Sequence, residues 1–588
     1  MLALNNISLG GWKMTEEGKK KTIKLGVSIC IVALIAVAIY EYSERNLLRN
    51  MSSPLTREEA SSDLTELLKN VDWTNDYVSR RVKLQLGQQG DLKATLPSIA
   101  EFGMVVAPAV SSGDVSVEIF VSSEKSGKGT DGWMVEAANA FNAQNKRLGG
   151  GSVARIKIRK IASGTGYQFI ASKKYLPEAF SPSNHLWIQM AAAHGVNMTL
   201  VREKLVGNIA GIVMKTSVAE KLDSQYGSVG VKNVIDAVFQ GDIVMGYTNP
   251  FASSTGLNFL VTVLSTFSEG VEANMLSPAV VSTFEGFQRG VPFIAMTTLQ
   301  MRDSVEQDGS LDAFVMEYQT FIKTPALQSG YEFIPFGIRH DNPLYAVGDL
   351  SPEEMEVLEL FAAFTETEKF RKLADEYGFN PSLPYEPAFS IPAGSTLVQA
   401  QDVWKEKKDA GRPIAAVFLS DVSGSMAGTG ISGVKEALIA GSEFIGPENS
   451  IGLVVFNSRV RTVLPVGKFD LNHKAAFLAA VEDMDTGGGT AMYDGIAASL
   501  SLLLAEKKAN PDVKPILFVL TDGETSNGLK FGAMAPVIEG IKIPVYTIGY
   551  EANLAELKRL SSLVEAASIN ANEGNVNYKI GSLLNAQM

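Results

Sequence analysis

The stretch Ile414–Met426 reads IAAVFLSDVSGSM. Its first part, Ile414–Leu419, is a continuous apolar run with no alternation. Strands read this way when helices cover both faces of a parallel sheet. The run leads into Asp421-Val422-Ser423-Gly424-Ser425, which sets a carboxylate and two hydroxyls just past the strand. Ligands of open parallel sheets gather at that end, and the N-terminus of a following helix favours nearby anions. Three further runs, Ile451–Phe456, Ile516–Leu520 and Val545–Ile548, repeat the pattern. Helical stretches around Val434–Ile445, Lys474–Val481, Tyr493–Leu504 and Leu554–Leu563 separate them. This alternation predicts a doubly wound α/β domain over residues 412–588.

Two more loops of this domain carry oxygen donors. Gly487-Gly488-Gly489-Thr490 offers a hydroxyl on a flexible turn, and Thr521-Asp522-Gly523 ends another buried strand with a second carboxylate. Asp421, Ser423, Ser425, Thr490 and Asp522 together form an all-oxygen set, which suits a hard divalent cation. Mg²⁺ takes about six oxygens at roughly 2.0–2.1 Å and keeps several waters; Ca²⁺ and Mn²⁺ also accept oxygen ligands. With few charged ligands the ion would stay electron-poor and attract an outside carboxylate. The competing reading is that these Ser and Asp residues only cap helices. Asp494 and Glu524 could support the ligands from behind, but read more readily as solvated surface residues. The segments DVSGSM, GGGTAMYDG and LTDGE resemble, in order and spacing, the von Willebrand factor A (VWA) family with its metal-ion-dependent adhesion site (MIDAS). The resemblance implies a Rossmann-like fold. It also implies a metal held by Ser423, Ser425 and Thr490, with Asp421 and Asp522 bound directly or through water. A protein partner's Asp or Glu would complete the shell.

Residues 114–385 show shorter strands alternating with helices, beginning with Val115–Val121 and Ile156–Ile161. Hydroxyl-rich turns precede helices at Ser122-Ser123, at Ser163-Gly164-Thr165-Gly166, and at 249–256 (NPFASSTG). Such turns expose backbone N–H groups and suit anions or polar ligands, though ordinary caps look the same. No Gly-Lys-Ser/Thr follows, so none is a P-loop. The segments SPSNHLW (181–187), NPFASSTGLNFL (249–260) and FAAFTETEKFRKLADEYGFNP (361–381) resemble type 2 periplasmic solute-binding proteins. That resemblance implies two α/β lobes closing on a solute by a hinge. Ser122, Ser123, Ser163, Thr165, Ser183, Asn184, Ser254 and Thr255 would line the cleft; Tyr167, Trp187 and Tyr247 read equally as aromatic walls of the cleft or as core residues. No cluster of arginines or acids in the sequence names the solute.

Composition bounds the rest. A 588-residue chain with 46% hydrophobic and 20% charged residues is neither mainly disordered nor a multi-span transporter. A net charge of −12 argues against a general nucleic-acid binder, which must neutralise phosphates. Four His and one Cys leave little material for zinc or Cys/His catalysis. With no H-E-x-x-H and no G-x-S-x-G, the expected role is binding and not catalysis.

The lone Cys30 sits in the apolar run Leu25–Tyr40, preceded by Lys13, Lys19, Lys20, Lys21 and Lys24 and followed by Glu41 and Glu44. The run is slightly shorter than the ~20 residues of a full span. Charge asymmetry predicts a cytoplasmic N-terminus at 1–24, a single-pass signal anchor at 25–42 in the cell membrane, and an extracytoplasmic body. Two other readings compete: a cleaved signal peptide, with Ala36-Val37-Ala38 as its site inside the run, and a buried core helix, which the flanking charge asymmetry opposes. Residues 43–113 read as a stalk or linker that holds a short helix, opened by Thr56, Glu58 and Glu59 with Leu64, Leu67 and Leu68 at helical spacing, and the Pro-rich passage into 386–411 reads as a second linker. The expected function is a membrane-anchored extracytoplasmic binding or adhesion protein with a solute-binding-like module. A transport receptor with an accessory A-type domain, and a partner of a chelatase-type ATPase, are the alternatives; the anchor opposes the last.

Overall fold

A computed structural model describes residues 55–84 and 95–588, apart from 292, 296–297, 299–300, 303–310, 382, 524, 551–553, 565–567 and 573–574. The expected cytoplasmic segment and anchor, 1–24 and 25–42, lie outside the described residues. Among the described residues, no helix is long and apolar enough to cross a membrane.

The described strands run in three sheets. Two short strands come from the N-terminal arm, β1 (Trp73–Asn75) and β2 (Met104–Val106). Next come β3 (Asp114–Val121), β4 (Val153–Lys160), β5 (Ala179–Ser181) and β6 (Met198–Arg202). They are followed by β7 (Ile209–Lys215), β8 (Met245–Thr248), β9 (Phe293–Ala295) and β10 (Ala313–Glu317). β11 (Tyr331–Arg339) and β12 (Leu344–Val347), which join different sheets, complete the middle region. The C-terminal domain holds β13 (Ile414–Asp421), β14 (Ser450–Phe456), β15 (Val460–Lys468), β16 (Lys514–Thr521), β17 (Val545–Tyr550) and β18 (Ser568–Ala571).

The C-terminal sheet has the order β1-β15-β14-β13-β16-β17-β18. Its central strands β14, β13, β16 and β17 are parallel neighbours, and every residue of β13 and β14 is buried. That is why these strands read as unbroken apolar runs. β15 runs antiparallel to β14. The run-based reading missed it because Arg461, Pro465 and Lys468 break the run on a half-exposed strand.

The middle region is two lobes with mixed sheets. The first has the order β2-β4-β3-β5-β12-β6 and the second β11-β7-β10-β8-β9. The chain crosses between them more than once, since β12 returns to pair antiparallel with β5 and β6.

Two stretches expected to be connectors are packed. Within 43–113, the helix Arg57–Leu68 starts at a Thr56–Glu59 capping box and buries Ala60 and Leu64. Ala60 rests against Gly540 of the C-terminal domain, where a side chain would collide with it. β1 then adds a parallel edge strand beside β15, and Trp73 Nε1 donates to Thr462 Oγ1 at 2.9 Å. β2 pairs antiparallel with β4 of the first lobe. The segment is therefore not a free stalk: it blunts one edge of each of two sheets. Within 386–411, the helix Gly394–Lys407 buries Leu397, Ala400 and Trp404. It lies across both lobes: Gly394 touches the Gln189 carbonyl, and Gln401 Nε2 donates to the Pro250 carbonyl at 2.7 Å. The C-terminal helix Val576–Gln587 also reaches back from the last domain, burying Tyr578 and Ala586 in the same core as both lobes.

Candidate metal centre and interlobe cleft

β13 delivers Asp421 fully buried at its carboxyl end. Ser423 N donates to Asp421 Oδ1 at 2.8 Å, and Thr521 Oγ1 donates to Oδ2 at 2.6 Å. The turn then brings Ser423 Oγ and Ser425 Oγ to 3.0 Å of one another, and Ser425 Oγ donates to Asp522 Oδ1 at 3.2 Å. Three side chains from two loops therefore converge on one point. The glycine loop is tied to this turn by its backbone. Gly487 N donates to the Val422 carbonyl at 2.9 Å, and Gly424 N to the Gly488 carbonyl at 3.1 Å. Gly488 sits at φ +81°, a backbone conformation that side chains disfavour. Thr490 is almost buried next in this loop, its N–H held by Ser526 Oγ at 2.9 Å.

Burial pushes the Asp421 carboxyl above the ordinary range; the bonds from Thr521 and Ser423 pull it back, and Asp522 adds to the rise. Two carboxylates facing each other this way favour a cation between them. The donors are hydroxyl and carboxylate oxygens alone, which fits Mg²⁺, Ca²⁺ or Mn²⁺ and not a soft metal. Among the described residues no group of three or more His, Cys, Asp and Glu is placed to hold a metal. This set has two carboxylates and draws its other oxygens from hydroxyls.

Asp494 is not a solvated surface residue. It is 6% exposed and accepts from Leu529 N at 2.7 Å, fixing the loop after Asp522. Glu524 lies outside the described residues. The sequence reading missed Thr521, Ser526, Asn527 and Ser458, which hold the loops. The hydroxyl-rich run Thr525-Ser526-Asn527 was the available signal.

The predicted solute residues do gather at the boundary between the lobes, but most are already bonded to protein. Ser122 Oγ accepts from Lys125 Nζ at 2.7 Å. Ser123 is half-buried beside a shallow hollow of about 360 Å³ shared with Lys160 and Ala162. Ser163 is buried at a helix start, and Gly164 N donates to the Ala252 carbonyl of the other lobe at 3.1 Å. Thr165 Oγ1 bonds the Tyr578 hydroxyl at 3.0 Å. Asn184 Nδ2 donates to the Ser254 carbonyl at 3.3 Å, and Trp187 Nε1 to Ser254 Oγ at 2.9 Å. Thr255 Oγ1 donates to Glu317 Oε1 at 3.4 Å. Ser183 alone turns to a weakly held group, Glu124, at 3.5 Å. Tyr167, Trp187 and Tyr247 are core residues and not cleft walls. Tyr167 packs on Trp187 with ring centres 5.5 Å apart, and Trp404 Nε1 donates to the Tyr247 hydroxyl at 2.6 Å.

Sequence reading missed the charged groups of this boundary. His340 Nδ1 faces Glu317 Oε1 at 2.8 Å, and its Nε2 faces Asn184 Nδ2 at 3.0 Å and Asn258 Nδ2 at 3.1 Å. Lys125 is fully buried and donates to Ser122 Oγ, the Ser181 carbonyl and Asn342 Oδ1. Burial, then Glu317, pushes the Glu124 carboxyl up; burial pushes Lys125 down, against the pull of both acids.

With this geometry in place, the comparisons with known proteins can be read. Residues 416–582 match the model of the von Willebrand factor type A domain. The C-terminal domain is a VWA domain. An uncharacterized protein of Synechocystis sp. is 27% identical over 143 residues, covering 24% of this chain and 32% of that protein. Inter-alpha-trypsin inhibitor heavy chain H1 of Mesocricetus auratus is 29% identical over 149 residues, covering 24% of this chain and 16% of that one. The match therefore spans about a third or less of these relatives' own length. Among solved structures, the sulfate-binding protein SubI of Mycobacterium tuberculosis is similar at 16% identity and a TM-score of 0.32, over 49% of this chain and 91% of that one.

Proposed function

We propose that this chain is a membrane-anchored extracytoplasmic binding protein whose VWA domain grips a carboxylate of a protein partner through a divalent cation. Ser423, Ser425 and Thr490 would hold the ion, with Asp421 and Asp522 binding it directly or through water. The ion supplies positive charge at an open coordination position; the chain supplies the cradle. The observation that carries this reading is the convergence of Ser423, Ser425 and Asp522 oxygens within 3.0–3.2 Å at the end of β13. Nothing in the set is placed to activate a nucleophile, so the reading is adhesion and not catalysis. The two middle lobes form a clamp for a small solute in the same reading, and residues 25–42 hold the body at the membrane.

The test is a pull-down from membranes with the full chain and Mg²⁺, repeated with EDTA. A partner retained with Mg²⁺, released by EDTA and absent with Ser423→Ala supports the reading. Calorimetry showing no divalent ion bound to the wild-type chain would end it. Protease accessibility on intact cells tests the anchor: a protected body removes the extracytoplasmic placement.

A further inference from the structure

A hollow of about 930 Å³ lies where the end of the helix Gly394–Lys407 meets the VWA domain. Its wall includes Arg412, just before β13, and Asn449, just before β14. Those strands are parallel, and the metal turn follows the carboxyl end of β13. The hollow is therefore at the opposite edge of the sheet from the candidate metal centre. Its volume is within the ~300–1,000 Å³ usual for small-molecule sites.

Three donors in this wall are left over. Asn449 is 3% exposed. Its Oδ1 accepts from Ile414 N at 2.9 Å, which fixes the amide's orientation, and its Nδ2 has no partner among the described residues. A buried N–H left this way marks a place for an acceptor. Lys405 is half-buried, with its Nζ over the Phe444 ring at 5.7 Å from the centroid. Among the described residues no carboxylate lies within 4.0 Å of that ammonium, whereas the nearby Lys407 reaches both Glu285 and Glu406. Burial pushes the Lys405 ammonium below its ordinary range, against the pull of Asp402. Arg412 is exposed; its Nε donates to the Asp409 carbonyl at 3.3 Å, and it pairs with no acid among the described residues. The three are neighbours: Ile414, bonded to Asn449, is two residues from Arg412, and Phe444 belongs to the loop that leads to Asn449.

The acids of the wall are mostly taken. Lys408 and Lys514 hold Asp409, Lys474 holds Glu443, and Lys407 holds Glu406. Glu448 is exposed, folds over Gly446 of its own loop, and has no ion pair among the described residues. The hollow therefore presents uncompensated charge of both signs.

We infer that this hollow binds a small zwitterion of the amino-acid or short-peptide class, its carboxylate taken by Lys405, Arg412 and Asn449 Nδ2 and its ammonium by Glu448. Charge-assisted bonds of this kind are the strong ones, and a guanidinium suits a carboxylate. A bare cation would meet Lys405 and Arg412. A polyphosphate would meet Glu448 and Asp402. The site goes beyond the proposed function and needs neither the metal nor the interlobe cleft. A molecule held there ties the helix that lies across both lobes to the VWA domain.

The test is calorimetry and thermal unfolding of the full chain with the common L-amino acids, dialanine, acetate and inorganic phosphate. The variants are Lys405→Met, Arg412→Gln and Ser423→Ala. At least one amino acid or dialanine should bind and raise the melting temperature. Lys405→Met, which keeps an apolar stem on Phe444, and Arg412→Gln should each weaken that binding roughly tenfold. Arg412 is exposed, so its variant keeps the test valid even where Lys405→Met fails to fold. Ser423→Ala should bind the zwitterion as wild type does, so failure of the metal reading and failure of this one are seen separately. Three results overturn the inference. The first is no binding by any amino acid or by dialanine. The second is binding undiminished in Arg412→Gln, which places the molecule elsewhere, as in the interlobe cleft. The third is acetate or phosphate binding as tightly as the zwitterion, which removes the ammonium contact.

Discussion

The metal loops and the interlobe boundary are both built from Ser, Thr, Asp, Asn and Glu near strand ends, but they use their oxygens differently. At the metal loops, the backbone and outer residues such as Thr521 and Ser526 hold the turns, and the inner oxygens of Ser423, Ser425 and Asp522 point at one another. At the boundary, Thr165, Asn184, Ser254 and Thr255 bond to Tyr578, His340, Trp187 and Glu317. The first arrangement turns its inner donor atoms toward one another. The second uses these donors to hold two lobes together. Residue type and loop position therefore do not tell a binding oxygen from a structural one. The count of partners per atom does.

The largest effect should come from breaking the lobe contacts. Trp404 is fully buried, stacks near Phe251 at 5.7 Å and bonds the Tyr247 hydroxyl. Trp404→Ala should cost about 3–5 kcal/mol in denaturant unfolding. A loss under 1 kcal/mol would show the helix Gly394–Lys407 to be a loose connector after all. The metal loops should behave in the opposite way. Ser423→Ala should remove divalent-ion binding by calorimetry while the melting temperature without metal stays near wild type, since, among the described residues, its hydroxyl bonds only its near neighbours Ser425 and Asp421. A large drop in metal-free stability would make Ser423 structural, like the boundary hydroxyls.

Tyr578→Phe sharpens the comparison at smaller cost. Its hydroxyl bonds Thr165 and donates to Gln168 Oε1 at 3.0 Å. Removing it should cost about 1 kcal/mol, and unchanged stability would mean that the C-terminal helix is held by packing alone. The smallest effect is a pH slope. Burial and Glu317 hold Glu124 above its ordinary value of 4.5. Between that value and the raised one the folded chain binds more protons than the unfolded chain, so this group makes stability fall as pH rises through that window. Glu124→Gln should remove that part of the slope, read as melting temperature against pH. An identical slope in the variant would show the carboxylate to be well solvated.

How much was legible follows from how local each feature is. β13 and its Asp-x-Ser-x-Ser turn are contiguous, and a strand buried on both faces writes itself as an unbroken apolar run. Asp522 lies far along the chain, yet its own strand announces it in the same way. The connectors were misread for a related reason. The spacing of Leu64, Leu67 and Leu68 announces the helix Arg57–Leu68, but the helix buries only Ala60 and Leu64 and β1 is three residues long, so their docking onto a sheet leaves no pattern in the sequence. Asp494 looked like surface because its partner, Leu529 N, is a backbone group that sequence does not display.

The sequence by itself determined the α/β class, the order of buried strands in the C-terminal domain and the oxygen donors at their ends, because periodicity and strand-end position are properties of neighbouring residues. Only the tertiary structure decided which polar groups are spent and which are spare. Thr165 meets Tyr578 across 413 residues, and His340 is held between two asparagines whose orientation depends on backbone groups elsewhere. Hydrogen-bond satisfaction and charge balance are sums over everything within a few ångströms. Folding brings those terms together from distant parts of the chain, and no local pattern carries them.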